Sequence, residues 1–471
     1  MSGFHEDRYF DPDPTIRRHA RALYEETRAL PIVSPHGHVD PAILARNDPF
    51  SDPASLIITP DHYILRMLYS RGVSLESLGV APIDGASPPA ETDPRKIWQT
   101  FADHWHLFRG TPTRAWLEYE LREVFGIKRD LDSSSAAEIY DSIVERLQSP
   151  EFRPRALLKR FNIEVLATTD GAADSLEHHK ALRDLDLGTR VIPTFRPDAL
   201  FRIAAPGWTE AVAEMEQVLG GKIGSCADLI GAIARRRADF KSMGATATDH
   251  AVLVPRTERL SSDEAQSLFA KGQCKRATEE DQSRFEAHLL MEMARLSVED
   301  GLVMQLHPGA LRNHNEAIFR RFGPDKGGDI PVATEFTRNL RPLLNAYGND
   351  ANFRLIVFTL DETTYSRELA PLAGHYPAML LGAPWWFHDS IEGMMRFRHE
   401  ATETAGIENT AGFTDDTRAF CSIPARHDLA RRVDANYVGG LVARHVIDMT
   451  DAREMANALA YDLAKRAYRL T

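Results

Sequence analysis

The segment Ile32-Val33-Ser34-Pro35-His36-Gly37-His38 carries a short β-branched run straight into two histidines two residues apart. On an extended segment the side chains at i and i+2 point the same way, so His36 and His38 can present two imidazoles to one divalent metal. A pair of hydrogen-bonding loop histidines is the other reading of these residues. The run is the first of eight, the others centring on Val165-Leu166, Val191-Ile192, Ala245 to Thr248, Leu302 to Leu306, Leu355 to Phe358, Met379 to Leu381 and Phe413-Thr414. Each precedes a polar cluster and then a longer helix-like segment, the alternation that marks parallel βα units.

The residues that end these runs are unusually polar. In order they are His36 and His38, Thr169 and Asp170, Arg196 and Asp198, Asp249 and His250, His307, Asp361, Trp385 and Trp386, and Asp415, Asp416 and Arg418. A barrel builds its active site from the C-terminal ends of its strands. A doubly wound sheet would instead show a Gly-rich phosphate turn after its first strand, and G-x-G-x-x-G is absent. The expected fold is therefore α/β, a distorted (β/α)8 barrel.

At 471 residues the chain exceeds the ~250 of an ordinary barrel. The surplus lies mainly between the first and second runs, a gap of about 125 residues where a βα loop usually has about 2 to 6. Apolar spacing at Tyr63, Leu65, Met67, Leu68 and Val73, and the tryptophans Trp98, Trp105 and Trp116, predict a mostly helical insertion. The expected division is residues 1–44 for an N-terminal helix and the first strand, 45–160 for the insertion, and 161–471 for the rest of the barrel. A long amphipathic helix is predicted from Lys271 to Asp300, with Phe285, Leu289, Leu290, Met293 and Leu296 facing inward.

With 56 basic and 68 acidic side chains the formal charge is −12, and no block of like charge stands out, which argues against nucleic acid as a partner. An anionic substrate must then be held by locally placed arginines. Cys226, Cys274 and Cys421 are odd in number and far apart, so a reducing cytoplasm is expected. Neither a signal-peptide apolar region nor a membrane-length apolar run is present in the sequence. A homo-oligomer is expected for a barrel of this size.

Asp416, after the eighth run, can complete a metal site with His36 and His38, because strands one and eight are neighbours in a closed barrel. An HxH pair after the first strand with an aspartate after the eighth resembles the signature of the amidohydrolase superfamily. Further motifs are similar to those of the uronate isomerase family, also called glucuronate isomerase. They are Asp61-His62-Tyr63 with Arg66, Thr168-Thr169-Asp170, Phe195-Arg196-Pro197-Asp198, Gln305-Leu306-His307 with Gly309-Ala310-Leu311-Arg312-Asn313, Pro384-Trp385-Trp386-Phe387 with Asp389, and Asp416-Thr417-Arg418.

The resemblance implies interconversion of D-glucuronate with D-fructuronate, and of D-galacturonate with D-tagaturonate, by an enzyme acting on a small uronic acid. Moving a carbonyl from C1 to C2 through a cis-enediol needs a base and an acid near one face of the sugar. Asp416 is the candidate ligand and base; Tyr63, with His62 positioning it, is the partner acid or proton shuttle, roles that come from the family match. The metal and Arg418 would supply positive charge to the enediolate. Arg196 is the candidate for a bidentate grip on the substrate carboxylate, and Arg426 the second candidate. Asp198, Asp249, His250 and Trp386 are candidates for hydroxyl recognition. Structural alternatives stand beside these: an Arg196–Asp198 rim pair, an Asp249–His250 hydrogen-bonded pair, and packing for one of the two tryptophans.

Two departures matter. His307 suits the fifth-strand position of the superfamily, as ligand or substrate contact, but Thr359-Leu360-Asp361 offers no histidine after the sixth, which argues for one metal rather than two. Asp415 also adjoins Asp416, leaving two acids for one role. Zinc is the first expectation for the metal, with manganese, iron and cobalt equally compatible with the ligand types. The rival functions are a metal-dependent hydrolase of the same superfamily and a sugar-acid binding protein.

Overall fold

The computed structural model describes residues 4–83, 85 and 88–470. The apolar runs form short strands: β1 Ile32–Ser34, β2 Ile163–Ala167, β3 Arg190–Ile192, β4 Ala247–His250, β5 Val303–Leu306, β6 Leu355–Val357 and β7 Met379–Leu381. Two-residue extensions, Asp170–Gly171 and Phe195–Arg196, prolong β2 and β3 beyond a bend. Pro193, which has no N–H to give a ladder, lies at the second bend. Thr194 N–H still donates to the Thr168 carbonyl at 3.0 Å, so the ladder bends without parting. Pairing runs β1–β2–β3 and then, through the extensions, β4–β5–β6–β7, all parallel and in chain order.

The eighth position is not the regular strand expected at Phe413-Thr414. A single parallel bridge joins Leu381 to Thr410, and Gly412 then turns the chain at φ 76°. A Cβ on Gly412 would meet the Ala464 backbone nitrogen at 2.7 Å, so only glycine passes here. Closure onto β1 is made by the Thr414 hydroxyl, which donates to the His36 carbonyl at 2.6 Å, and by His38 N–H, which donates to the Thr417 carbonyl at 3.0 Å. The result is a distorted (β/α)8 barrel.

The period of two along each strand sorts the core. Val33, Val165, Ile192, Ala247, Val303, Ile356 and Leu380 pack inside the barrel, while Met304, Leu306, Leu355, Val357, Met379 and Leu381 pack outward on the helices. Tyr468, near the C-terminus, joins the inner cluster, and its hydroxyl donates to Gln305 Oε1 at 3.0 Å.

Between β1 and β2 the described residues are mostly helical, from Pro41–Arg46 to Pro154–Arg160, around an apolar cluster that includes Trp98, Phe101, Trp105 and Ile143. The helical spacing read from Tyr63 to Val73 forms a helix only over His62–Tyr69, because Gly72 at φ 87° stops it and a 3-10 turn follows at Glu76–Leu78. The helix expected from Lys271 to Asp300 is two helices, Ser262–Gln273 and Glu279–Asp300. Lys275 takes a left-handed conformation between them, and Thr278 starts the second with a capping box to Asp281. Among the described residues no helix is long and apolar enough to cross a membrane, and Cys226, Cys274 and Cys421 are free thiols.

Candidate active site

The C-terminal ends of the strands open into a cleft whose floor is His36, His38, His307 and Asp416. Asp416 Oδ1 stands 3.4 Å from His36 Nε2 and 3.1 Å from His38 Nε2. Asp416 adopts φ 40°, uncommon for a residue other than glycine, which turns its carboxylate back over β1. His36 and His307 stack with ring centroids 4.8 Å apart, and His307 stacks on Phe358 at 4.0 Å. Asp415 is directed elsewhere: its Oδ2 pairs with His427 Nε2 at 3.1 Å. The ambiguity between the two acids is thereby resolved in favour of Asp416 as the one beside the histidines.

The donor atoms of His36, His307 and Asp416 all lie within 4.8 Å of one another. His36 Nδ1, His307 Nε2 and Asp416 Oδ1 are buried and make no hydrogen bond. Buried polar atoms are normally satisfied, so a cluster of unsatisfied donors with this chemistry fits a divalent metal. His38 adjoins the cluster through Asp416. His307 is oriented from behind, its Nδ1 2.7 Å from Asp249 Oδ1, which leaves Nε2 directed away from that contact. Burial alone would raise the Asp249 carboxyl, but the Arg196 guanidinium, with His307, holds it well below the usual carboxylate range.

Arg196 donates through Nε to Asp198 Oδ2 at 2.8 Å and has Asp249 Oδ2 3.4 Å from Nη1. The rim pair with Asp198 therefore exists, and Arg196 lines the cleft all the same. Asp198 does not line the cleft; it braces Arg196 and accepts from Ala251 N–H at 3.2 Å. His250 is a correction. Because β4 runs on through His250 instead of ending before Asp249, the two neighbours alternate: Asp249 faces the cleft and His250, next along the pleat, faces the helices. There His250 stacks on Phe201 at 5.8 Å and pairs with Thr248 Oγ1 at 3.0 Å rather than with Asp249.

The far wall comes from the segment between β1 and β2. Asp61 caps the helix His62–Tyr69, accepting from Tyr63 N–H at 2.8 Å and Ile64 N–H at 3.3 Å. Such a cap stabilises a helix by about 1 kcal/mol, and here it sets His62 and Tyr63 in the first turn, facing the floor. Burial, and then the nearby Arg418, push the His62 imidazole down to about 3, so it is neutral. Its ring meets Trp386 edge-on at 4.9 Å. The Tyr63 hydroxyl donates to Asp389 Oδ2 at 2.8 Å. Burial and the Asp389 charge raise the phenol well above its usual range, so it keeps its proton.

Arg426 sits in the first turn of Ile423–Ala443, stacked over Trp116 at 3.6 Å. It donates to Asp389 Oδ2 at 3.1 Å and to the Asp415 carbonyl at 3.2 Å. Arg418 is half-open at the mouth, 3.5 Å from Asp325. Arg312 donates to Asp329 Oδ2 at 2.7 Å and lies over Trp386 at 5.5 Å. Asp61, Trp116, Arg312, Asp325 and Asp389 line the cleft without having been singled out as site residues. Arg312 and Asp389 belong to motifs quoted above, which was the available signal. Trp116 and Asp325 had none, since their place depends on tertiary packing.

The chain matches the family model described as glucuronate isomerase over residues 1–468. It is 56% identical over 465 residues to a uronate isomerase of Nostoc punctiforme, covering 98% of each chain. It is 52% identical over 466 residues to a uronate isomerase of Rhizorhabdus wittichii, covering 99% of this chain and 98% of that one. Among solved structures, the glucuronate isomerase from Caulobacter crescentus superposes with a TM-score of 0.97 at 50% identity, covering 99% of this chain and 97% of the other.

Proposed function

Because the chain belongs to the glucuronate isomerase family, it is an aldose–ketose isomerase, and we propose that it interconverts D-glucuronate with D-fructuronate and D-galacturonate with D-tagaturonate through a cis-enediol. The observation that carries this reading is the meeting, in one cleft, of a floor of unsatisfied His36, His307 and Asp416 donors with the Tyr63 hydroxyl on the opposite wall.

His36, His307 and Asp416, with His38 adjoining, hold one divalent metal; zinc is our first choice, and manganese, iron and cobalt suit the same donors. When bound, that cation supplies fixed positive charge where the enediolate oxygens develop negative charge. Asp416 takes the C2 hydrogen as a proton, which exchanges with solvent, and delivers a proton to C1. Tyr63 exchanges a proton with the sugar oxygens, with neutral His62 stacked on it at 4.6 Å to hold the ring. Arg418 at the mouth adds charge to the enediolate. Arg196, its orientation fixed by Asp198 and Asp249, grips the substrate carboxylate, with Arg426 deeper in the wall as the second candidate. Trp386 gives the sugar an apolar face. The reading includes a cytoplasmic location, in keeping with the free thiols, a homo-oligomer, and neither nucleic acid nor membrane as a partner.

The test is NMR of D-glucuronate with the purified protein in deuterated water, with and without a chelator. Ketose with solvent deuterium incorporated is the expected product. Failure to turn over either uronate by a metal-loaded protein would overturn the proposal.

A further inference from the structure

We propose that Asp389 is a positioning residue that acts through Tyr63, holding the phenol hydrogen turned away from the sugar so that Tyr63 meets the substrate as an acceptor of a hydroxyl proton. The inference rests on the isomerase reading and adds to it a direction for one proton.

A phenol oxygen has one hydrogen to donate. Tyr63 gives its hydrogen to Asp389 Oδ2 at 2.8 Å, which leaves lone pairs for whatever enters the cleft. Asp389 cannot readily swing away, because the same Oδ2 accepts from Arg426 at 3.1 Å. Arg426 is itself fixed by the Asp415 carbonyl at 3.2 Å and by the Trp116 face at 3.6 Å. Asp389 Oδ1 is buried and accepts nothing, so the carboxylate keeps an open acceptor position beside the bond to Tyr63.

Isomerisation moves two hydrogens, and only one of them is on carbon. As the carbonyl passes from C1 to C2, the O2 hydroxyl must lose its proton and O1 must gain one. In the proposed relay the O2–H bond breaks as a new Tyr63 O–H bond forms, and the hydrogen already on Tyr63 passes to Asp389 Oδ2. The reverse transfer delivers a proton to O1. No net proton, electron or co-reactant is consumed. A carboxylate that only kept Arg426 in place would do none of this.

The experiment is steady-state turnover of D-glucuronate by the metal-loaded wild type, Asp389→Asn, Asp389→Glu, Tyr63→Phe and the Tyr63→Phe/Asp389→Asn double variant. Asp389→Asn is expected to lower kcat about 100-fold or more while KM stays within about threefold. Asp389→Glu, which restores a carboxylate, is expected to recover about tenfold of that loss. The double variant should be no slower than Tyr63→Phe alone, since both changes cut one relay. An Asp389→Asn kcat within about threefold of wild type, a loss confined to KM, or an additive double variant would each overturn the inference. Should Asp389→Asn fail to fold, Asp389→Glu decides: a longer carboxylate with lowered kcat and unchanged KM supports the relay, and wild-type kcat refutes it. Wild-type turnover is read before any variant, so failure of the isomerase reading itself is seen separately.

Discussion

The floor and the walls of the cleft solve opposite electrostatic problems. On the floor, His36 Nδ1 and His307 Nε2 are buried without a hydrogen bond, and Asp416 Oδ1 has only the His36 and His38 nitrogens beside it. On the walls, each arginine named above has a carboxylate: Arg196 with Asp198 and Asp249, Arg312 with Asp329, Arg418 with Asp325, and Arg426 with Asp389. Unsatisfied donors in a buried cluster are unfavourable until a cation arrives, so the floor is built around something it must bind. Paired arginines are already stable, so the walls need no ligand to fold. They recognise an anion by the direction of their N–H groups more than by excess charge, in keeping with the chain's −12 formal charge.

The largest expected effect strikes the floor. Asp416→Asn should lower turnover about 1,000-fold or more, with little loss of folding stability, because asparagine tolerates positive φ better than most residues. Parallel activity and thermal-melt measurements check it, and a collapse of the melt instead would show that the floor is structural. One step back, Asp249→Asn removes the carboxylate that orients His307 and should weaken metal retention about 10- to 100-fold, measured by metal content after dialysis against a graded chelator.

The walls should respond less, and in KM. Arg196→Lys keeps the charge but loses the fork, and KM for D-glucuronate should rise about tenfold with kcat within a few-fold. A loss in kcat instead would move Arg196 from the walls to the chemistry.

The smallest effect concerns Glu120, buried behind Asp61 and raised by burial, then by Asp61, from an ordinary 4.5 to about 8. Its folded-state value lies above its unfolded one, so between those values the folded state holds the extra proton. Stability from this group therefore falls as pH rises from about 4.5 to about 8 and is level above that. Glu120→Gln should flatten the melting temperature across that window, leaving the variant the more stable at the alkaline end by a few degrees. Parallel wild-type and variant curves would refute the assignment.

Much of the floor was legible because its signals are local. His36 and His38 sit two apart on a strand, and Asp416 follows the segment that must neighbour it. Asp416 rather than Asp415 was readable only from the match of Asp416-Thr417-Arg418 to the family motif; the backbone twist at φ 40° that separates the two acids was not legible. His250 was misplaced because β4 extends through it: two neighbours on one strand cannot both face the cleft, so Asp249 turns inward and His250 outward. The Tyr63–Asp389 bond spans 326 positions and belongs to no periodicity. The barrel was readable from recurring β-branched runs, but its irregular closing segment was not, because Gly412 works through its contact with Ala464.

Gly327 carries a consequence for how such a chain can change over generations. At φ 77°, a Cβ there would come within 2.5 Å of Arg66 Cβ and 2.8 Å of the His62 carbonyl oxygen. The loop bearing Arg312 and Asp325 is thus seated on the helix bearing His62 and Tyr63, although the two lie far apart in sequence. Neither segment can be exchanged for that of a distant relative on its own. The two fit as a matched set, and a graft that moves one without the other should yield a folded barrel with a misfitted mouth.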